Sequence, residues 1–399
     1  MRNAKSALAM ASAVLGLCGG AANAQIAVSA NDGKQPRLGQ PATDVKPDTV
    51  AVIDLSARNP RVIATVEVPV SMIGPPTSIA MARDGSYAIV TASQKLDPAD
   101  GTKFVPDGKV SVIDLTDPKN PKVVQTIEAG AGATGVAINR KGTLALVASV
   151  GDGTVSVFSI SNRRLTLVGK VQLSAELGPC DVAISPDGKT ALVTQRRGNH
   201  IWRLAIDGTK VTDTGITFQT GGNPYGSVFS PDSRYAYSTN LLGTIDPNAP
   251  QTRPEPGQPV RARIGTITAI DLRTNKIVTT VQVGPTPEHV EMSPDGRYIE
   301  VTVVNGSSAN PSSSQFSPFG VIKVYRVNGA SITPVAEATT GQWGQGATWS
   351  PDGRTILLQG AVSKVIQVYR FDGKSLVEDK AAQIQFDTRP GAITTRFSR

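Results

Sequence analysis

A four-residue phrase, Ser-Pro-Asp-Gly, recurs along the chain and constrains its fold more than any other feature. Short runs of strand-forming residues flank each copy, as residues 182–184 and 191–194 flank the first. Pro and Gly supply the backbone angles of a tight turn, so each copy predicts the turn of a β-hairpin. The four copies and two weaker ones are Ser185-Pro186-Asp187-Gly188, Ser230-Pro231-Asp232-Ser233, Ser293-Pro294-Asp295-Gly296, Ser350-Pro351-Asp352-Gly353, Ala82-Arg83-Asp84-Gly85 and Asn139-Arg140-Lys141-Gly142.

Two more strand-like runs follow a hairpin. Residues 109–115 and 123–127 follow the first weak copy, and residues 266–272 and 276–281 follow a strong one. Consecutive strong copies are 45 to 63 residues apart. Four short strands at such a period are typical of a β-propeller blade. A content of 39 Gly and 28 Pro with only 18% charged residues argues against a helical bundle.

Counting the inner strand of each repeat predicts an all-β, seven-bladed β-propeller with four-stranded antiparallel blades. The last inner strand ends near the C-terminus without partners, whereas residues 25–29, 49–55 and 61–66 supply three strands that lack an inner one. We therefore expect one C-terminal and three N-terminal strands to close the ring, so that residues 25–399 form a single domain. The inner strands are expected to start near Thr77, Thr134, Cys180, Tyr225, Glu288, Gly346 and Gly391.

The N-terminus has the pattern of a secretory signal. Lys5 precedes an apolar run over residues 7–17, and Ala22-Asn23-Ala24 is a cleavage site of the A-x-A type. We predict a signal peptide over residues 1–24, cleavage after Ala24, and a periplasmic or secreted protein. Cleavage removes Cys18 and leaves Cys180 as the only cysteine, so no internal disulfide is expected. No other stretch of about twenty apolar residues suggests a transmembrane segment.

The charge balance leaves the choice of partner open. The formal net charge is +8, and without Arg2 and Lys5 the 38 basic and 32 acidic residues give +6. This modest excess is spread along the chain without a run of Lys or Arg. It permits contact with nucleic acid or an anionic surface, and it also fits a surface whose charge only keeps the protein in solution.

The repeats resemble the YVTN-type, lactonase-like seven-bladed β-propellers of secreted and periplasmic bacterial proteins. The resemblance is carried by strand runs that follow the Ser-Pro-Asp turns, such as Ala191-Leu192-Val193-Thr194 and Tyr235-Ala236-Tyr237-Ser238-Thr239-Asn240. It covers residues 25–399 and implies the propeller fold. Its implication for function is broad, because similar propellers serve as binding modules, lactonases, lyases and electron-transfer subunits.

Four connections between second and third strands are long: residues 30–48, 93–108, 241–264 and 306–320. They belong to two pairs of adjacent blades. We expect the pairs to rise on roughly opposite sides of the channel mouth and to leave a cleft between them. The alternative is that they are surface insertions without a function, since a longer loop costs little free energy.

Polar and aromatic residues at the mouth ends of the predicted strands form the candidate site. His289 follows Glu288 at the start of an inner strand, where other blades have Gly135 and Gly226, and Asp181 occupies the equivalent place two blades earlier. Glu288 and His289 are the candidate catalytic residues, as a general base. The candidate ligands of a divalent metal ion are Asp181, Asn240 and Asn305. The candidate ligand-binding residues are Ser78, Gln94, Gln195, Arg196, Tyr225, Trp343 and Gln345.

A plainer interpretation of the same residues is a polar lining of a water-filled channel, with Asp181 paired to Arg196 or Arg197. One divalent metal ion is the only cofactor that the pattern suggests. Two histidines and the absence of Cys-x-x-Cys-His argue against a histidine-rich copper cluster and against covalent haem. The sequence has no phosphate-binding Gly-x-x-x-x-Gly-Lys motif, and this absence argues against a nucleotide cofactor. It also has no Gly-x-Ser-x-Gly elbow between a strand and a helix, which argues against α/β-hydrolase chemistry.

Three functions remain in competition. The favoured hypothesis is an exported module that binds a small molecule or a protein partner at the channel mouth. The alternative is a lactonase-like hydrolase or lyase that uses an acid/base or metal site there. A further alternative is DNA binding, whose affinity would fall steeply with salt. A ring without open sheet edges demands no oligomer, so we expect a monomer.

Overall fold

Seven antiparallel sheets form the blades of a β-propeller, as predicted. The computed structural model describes residues 25–37, 39–243 and 264–398. The predicted signal peptide over residues 1–24 lies outside the described residues, as does most of the predicted loop at 241–264.

Six blades are built from consecutive strands and are numbered 1 to 6 along the chain. Blade 1 contains β4 (Ile79–Met81), β5 (Tyr87–Asp97), β6 (Asp100–Asp114) and β7 (Lys122–Glu128). Blade 2 contains β8 (Ala133–Ile138), β9 (Leu144–Ser149), β10 (Thr154–Ser161) and β11 (Arg164–Gln172). Blade 3 contains β12 (Pro179–Ile184), β13 (Thr190–Gln195), β14 (His200–Asp207) and β15 (Lys210–Gln219). Blade 4 contains β16 (Pro224–Phe229), β17 (Tyr235–Asn240), β18 (Gly265–Asp271) and β19 (Lys276–Gly284). Blade 5 contains β20 (Pro287–Met292), β21 (Tyr298–Val303), β22 (Gly320–Asn328) and β23 (Ser331–Thr340). Blade 6 contains β24 (Gly344–Trp349), β25 (Thr355–Gly360), β26 (Val365–Phe371) and β27 (Leu376–Glu378).

The closing blade joins the two ends of the chain. Its strand order is β29 (Arg389–Thr395), β1 (Ile26–Asp32), β2 (Thr49–Asp54) and β3 (Arg61–Glu67). β29 pairs antiparallel with β1, and Ala27 lies opposite Thr395. This arrangement confirms the predicted closure by one C-terminal and three N-terminal strands.

Blade 6 has a divided outer strand. β27 and the short β28 (Ile384–Gln385) both pair with β26, and a 3-10 turn over Lys380–Ala382 separates them. The outer edge of this blade is therefore less regular than the sequence pattern predicts.

The Ser-Pro-Asp-Gly copies form the expected hairpin turns. In blade 3 the Ser185 hydroxyl donates to Asp187 Oδ1 at 2.6 Å, and the Gly188 amide donates to the Ser185 carbonyl at 2.8 Å. Gly188 has a φ of +72°, which glycine adopts without strain. These turns lie at one end of the ring, here called the turn face. The inner strands begin at the opposite end, here called the mouth face.

The core lies between blades. Each interface between neighbouring blades in the described part of the chain holds one cluster of buried apolar side chains. An additional cluster lies near the mouth face and contains Met72, Val304, Trp343 and Ala361. Blades packed on both faces form a rigid frame from which the strand ends at the mouth can position side chains.

Candidate active site at the channel mouth

Irregular strand starts direct side chains toward the mouth. In blade 5 the register between β20 and β21 shifts between Pro287 and His289. In blades 2, 3, 4 and 6 the register between the inner strand and the second strand shifts at the equivalent place. A β-bulge changes the direction in which a side chain points, so the residues at this place need not follow the alternation of the strand. The bulge position is occupied by Tyr225 in blade 4, Glu288 in blade 5 and Gln345 in blade 6.

Glu288 is the centre of the candidate site. Its carboxylate accepts a hydrogen bond from Gln345 Nε2 at 3.2 Å and another from the side chain of Trp343. Burial raises the pKa of Glu288 to about 8, and the positive charge of Arg196 and the two hydrogen bonds oppose this rise. A carboxyl group with such a pKa can accept or release a proton near neutral pH. Blades 3, 5 and 6 therefore build one acid/base group together.

Tyr225 is buried near Arg196 and Glu288, whose charges act on it. Burial raises its pKa well above the usual range, and the charges of Arg196 and Glu288 act on it in opposite directions. The phenol therefore keeps its proton at any physiological pH and can act only as a hydrogen-bond donor or acceptor.

Trp343 is held in an unusual backbone conformation. Its φ is +53°, and its amide donates to the Ser307 hydroxyl at 2.9 Å. The same position, two residues before the bulge, also has a positive φ in blades 2 to 5, at Gly132, Gly178, Asn223 and Thr286, so the conformation belongs to the repeat. A bulky residue in this region costs about 1–3 kcal/mol. The contact between the Trp343 side chain and Glu288 gives this strained residue a role.

Asp181 lies deeper than predicted. It is fully buried, accepts a hydrogen bond from the Thr77 hydroxyl at 2.7 Å through Oδ1, and accepts one from the Ser227 amide at 3.0 Å through Oδ2. A Cβ at Gly135 would lie 2.8 Å from Asp181 Oδ1, so the small residue in blade 2 is required by this close approach. Asp181 thus links blades 1, 3 and 4. The neighbouring thiol of Cys180 is unreactive, because burial raises its pKa to about 12.

His289 belongs to the interface between blades 5 and 6. Its Nδ1 lies 2.6 Å from Glu300 Oε1 and 3.3 Å from the Ala347 amide nitrogen, and the ring is 2% exposed. A role for His289 as the general base stays a prediction. At the bulge the two side chains take different partners, Gln345 for Glu288 and Glu300 for His289.

The three predicted metal ligands make hydrogen bonds with separate sets of neighbours. Asn240 Nδ2 donates to the hydroxyls of Thr266 and Thr268, whereas Asn305 Nδ2 donates to Ser317 and to the Phe319 carbonyl. Among the described residues, no group of three or more His, Cys, Asp or Glu could hold a metal ion. A divalent ion held by Asp181, Asn240 and Asn305 stays a prediction, and no step of the proposed reaction uses one.

The other predicted ligand-binding residues are divided between the mouth and the interior. Gln345 lies beside Glu288, and its Oε1 is buried without a hydrogen-bond partner in the described structure. Ser78 and Gln195 are also buried. Gln94 lies opposite Pro106 in a hairpin that extends the β5–β6 pair. The segment 93–108 is therefore largely paired strand rather than the predicted loop.

The walls around the mouth are joined, which corrects the prediction of two opposed walls. The closing-blade loop crosses blade 6 and reaches the long loop of blade 5, where Arg37 Nη1 donates to the Ala309 carbonyl at 3.0 Å. Arg37 Nη2 donates at 2.6 Å to Oε1 of Gln342, which connects blades 5 and 6. On its other side, the Ala42 amide donates to the Thr102 carbonyl of the extended hairpin at 3.0 Å. Among the described residues, blades 2 and 3 have short connections at this face.

Arg37 is the principal mouth residue that sequence reasoning missed. No motif surrounds it, and its partners are 272 and 305 positions away in the chain. Buried Lys34 holds the base of the same loop through an ion pair with Asp48 at 2.7 Å and a hydrogen bond to the Val70 carbonyl at 2.5 Å. Long-range contacts of this kind leave no local signal in a sequence.

A groove of about 630 Å³ opens at the turn face between blade 6 and the closing blade. Arg58, Arg354, Arg370 and Asp372 are among the residues that line it. Hydrogen bonds from the Ser375 and Lys374 amides lower the pKa of Asp372 to about 2, so this carboxylate is a poor base. The mouth, not this groove, holds the acid/base group.

Comparison with known proteins identifies the family. The model of the family "Lactonase, 7-bladed beta-propeller" matches residues 42–242, just over half of the chain. The chain belongs to this family. Arg196 and Tyr225 of this lactonase-family propeller lie in the matched segment, and Glu288, Trp343 and Gln345 lie beyond it. No curated protein matches the chain.

Solved structures share the fold of this lactonase-family chain at low identity. A Bacteroides uniformis protein described as a candidate 6-phosphogluconolactonase has a TM-score of 0.69 at 17% identity, with 92% of this chain and 98% of that chain covered. The periplasmic gluconolactonase of Pseudomonas aeruginosa has a TM-score of 0.65 at 15% identity, with the same shares covered. A hypothetical selenium-binding protein of Sulfolobus tokodaii has a TM-score of 0.64 at 11% identity, with 94% of each chain covered. At these identities the likeness concerns the fold alone.

Proposed function

We propose that this propeller is a lactone hydrolase whose general base is Glu288. The observation that carries the proposal is a partly buried carboxyl group of pKa about 8 at the channel mouth, on which the positive charge of Arg196 acts. The family match and the gluconolactonase among the similar structures support this function over the binding module that the sequence favoured. The substrate class that we propose is a sugar lactone.

The proposed reaction uses water as the nucleophile. The Glu288 carboxylate takes a proton from water, and the resulting hydroxide attacks the lactone carbonyl carbon. Arg196 stabilises the negative charge that develops on the carbonyl oxygen, as cationic donors do in other acyl transfers. The ring C–O bond then breaks, and the Glu288 carboxylic acid returns its proton to the leaving oxygen. The product is a hydroxy acid, and Glu288 ends in its starting state.

The remaining mouth residues position the base and the substrate. Trp343 and Gln345 donate to the Glu288 carboxylate and fix its orientation. The unpartnered Oε1 of Gln345 is available to accept a hydrogen bond from a substrate hydroxyl. We expect the substrate to enter above blades 2 and 3, whose described connections are short, rather than above blade 6, which the Arg37 bridge crosses.

The test is the hydrolysis of glucono-δ-lactone and its 6-phosphate, followed by acid release, in the wild type and in Glu288→Gln. Loss of the base should lower kcat by at least about a hundredfold. Glu291→Gln is the matched control, because it makes the same change in a buried glutamate of the same strand. Equal activity of Glu288→Gln and wild type would disprove the role of Glu288. Saturable binding of the lactones without turnover would favour the binding module.

The proposed export also has a direct test. The candidate signal at residues 1–24 and the periplasmic location named for the Pseudomonas relative support a periplasmic enzyme. Among the described residues, no helix is both long and apolar enough to span a membrane. A protein isolated from the periplasmic fraction with Gln25 as its first residue is the expected result. A cytoplasmic protein that retains Met1 would contradict it.

A further inference from the structure

In the turns of blades 1 and 2, basic residues replace Pro or Asp of the repeat. Arg83 stands where the strong copies have Pro, and Arg140 and Lys141 stand where they have Pro and Asp. In the adjacent closing blade, β29 continues into Arg396 and Phe397. Each departure therefore adds basic residues to the turn face.

The fold gathers these residues, which are distant in sequence. The Arg83 guanidinium lies 5.1 Å from the centre of the Phe397 ring, and that of Arg396 lies 4.8 Å from it. Arg83 Nη1 also lies 3.5 Å from the Arg396 carbonyl oxygen. The Tyr87 hydroxyl donates to the Gly142 carbonyl at 3.3 Å, which holds the blade 2 turn against blade 1.

The charges are close enough to affect one another. The pKa of Arg83 is lowered, first by burial and then by the positive charges of Arg140 and Arg396. We call Arg83, Arg140, Lys141, Arg396 and Phe397 the basic patch. The two turn sequences contain three of these cations and one acidic residue, Asp84. Like charges held together at a surface create a local positive potential.

The other four turns show how local this potential is. Lys189, Arg234, Arg297 and Arg354 each follow a turn that contains one aspartate, so cations and carboxylates balance there. Arg297, for example, pairs with Asp295 at 2.6 Å. The excess of positive charge on these inner turns therefore lies over the closing blade and blades 1 and 2.

We propose that the basic patch docks the turn face on an anionic phospholipid surface. The patch residues lie at equivalent ends of neighbouring blades, so their charges face the same direction and suit a planar anionic surface. Clusters of basic residues bind anionic headgroups, and an aromatic ring at the same level suits the bilayer interface. Phe397 is half-buried and can supply that ring. The mouth, at the opposite end of the ring, stays open to solution.

Lipid is favoured over nucleic acid on two grounds. Four cations at one side of a face whose other four inner turns are balanced in charge do not form the extended stripe that tracks phosphates along a nucleic acid. The predicted signal peptide also places the protein in a compartment bounded by membranes.

Vesicle co-sedimentation tests the proposal. The chain from Gln25 onward would be mixed with vesicles of phosphatidylglycerol and phosphatidylcholine, with vesicles of phosphatidylcholine alone, and with duplex DNA, at low and high salt. The patch variant is Arg83→Glu with Arg140→Glu. The matched control is Lys95→Glu with Lys170→Glu, which changes the net charge equally at exposed positions away from the turn face.

We expect the wild type to bind only the phosphatidylglycerol vesicles, and to release them at high salt. The patch variant should bind at least tenfold more weakly, because each basic residue near an anionic surface strengthens binding about fivefold. Phe397→Ala should weaken binding less. Absence of wild-type binding, equal weakening by the control, or retention on DNA without retention on vesicles would each overturn the proposal. Circular dichroism of each variant separates a loss of binding from a loss of fold.

Discussion

The two faces of the ring are built from opposite ends of the same strands, yet they follow different rules. At the turn face, Ser-Pro-Asp-Gly turns of blades 3 to 6 repeat one hydrogen-bond pattern, from Ser185 to Ser350. At the mouth face, the equivalent positions hold Thr, Cys, Tyr, Glu and Gln in successive blades. Repetition therefore marks the part of each blade that builds the fold, and departure from it marks candidate sites.

Two glutamates of β20 show the same contrast within a single strand. Burial raises the pKa of both, to about 8 for Glu288 and about 7 for Glu291. Glu288 is next to Arg196 at the partly open mouth. Glu291 is enclosed and accepts hydrogen bonds at 3.0 Å from the Thr348 and Ser398 hydroxyls. A raised pKa alone does not identify a catalytic group, and access to substrate distinguishes the two.

The largest effect expected at the mouth, after loss of Glu288, comes from Arg196→Ala. Removing a cationic donor that stabilises an oxyanion should lower kcat by about a hundredfold to a thousandfold. Arg197→Ala is the control, because Arg197 donates to the carbonyls of Glu176 and Ala175 instead. Steady-state kinetics on the lactone measure both. Similar losses in the two variants would indicate a general disturbance of the mouth.

Glu291→Gln should change stability rather than activity. The pKa of Glu291 is about 7 in the folded state, above its usual value of 4.5, so the folded state holds its proton more tightly. Wild-type stability should therefore fall as pH rises from about 4.5 to 7, and the variant should avoid this loss. We expect Glu291→Gln to gain about 2 kcal/mol over wild type between pH 5 and pH 8, measured by urea denaturation. A pH-independent difference would contradict this assignment.

The pH dependence of hydrolysis distinguishes the mouth glutamate further. With a pKa of about 8, kcat/KM should rise through neutral pH to a plateau, with activity at pH 7 about tenfold below it. Trp343→Phe removes a hydrogen bond that lowers the pKa of Glu288, so the midpoint should move to higher pH. A midpoint below pH 6 in the wild type would exclude Glu288 as the base.

The sequence was sufficient to predict the blades and the ring closure, because turn residues and strand alternation are local signals. It also indicated Glu288, Arg196, Tyr225, Trp343 and Gln345, which meet at the mouth. The contacts of His289 with Glu300 were not predictable, because a position in the repeat does not determine which way a bulged strand directs its side chains. Neither the Arg37 bridge nor the basic patch had a local signal, since each joins residues from distant parts of the chain.

The smallest effect is expected at the turn face, from Asp187→Ala. This change removes a carboxylate that accepts hydrogen bonds from the Ser185 hydroxyl at 2.6 Å and from the Lys189 amide at 3.0 Å. The free energy of unfolding should fall by roughly 1 kcal/mol, the usual net value of such hydrogen bonds. Lactone hydrolysis should not change, because the turn lies at the opposite end of blade 3 from Arg196. A loss of hydrolysis without a loss of stability would mean that the two faces are coupled, and the division of roles between them would then fail.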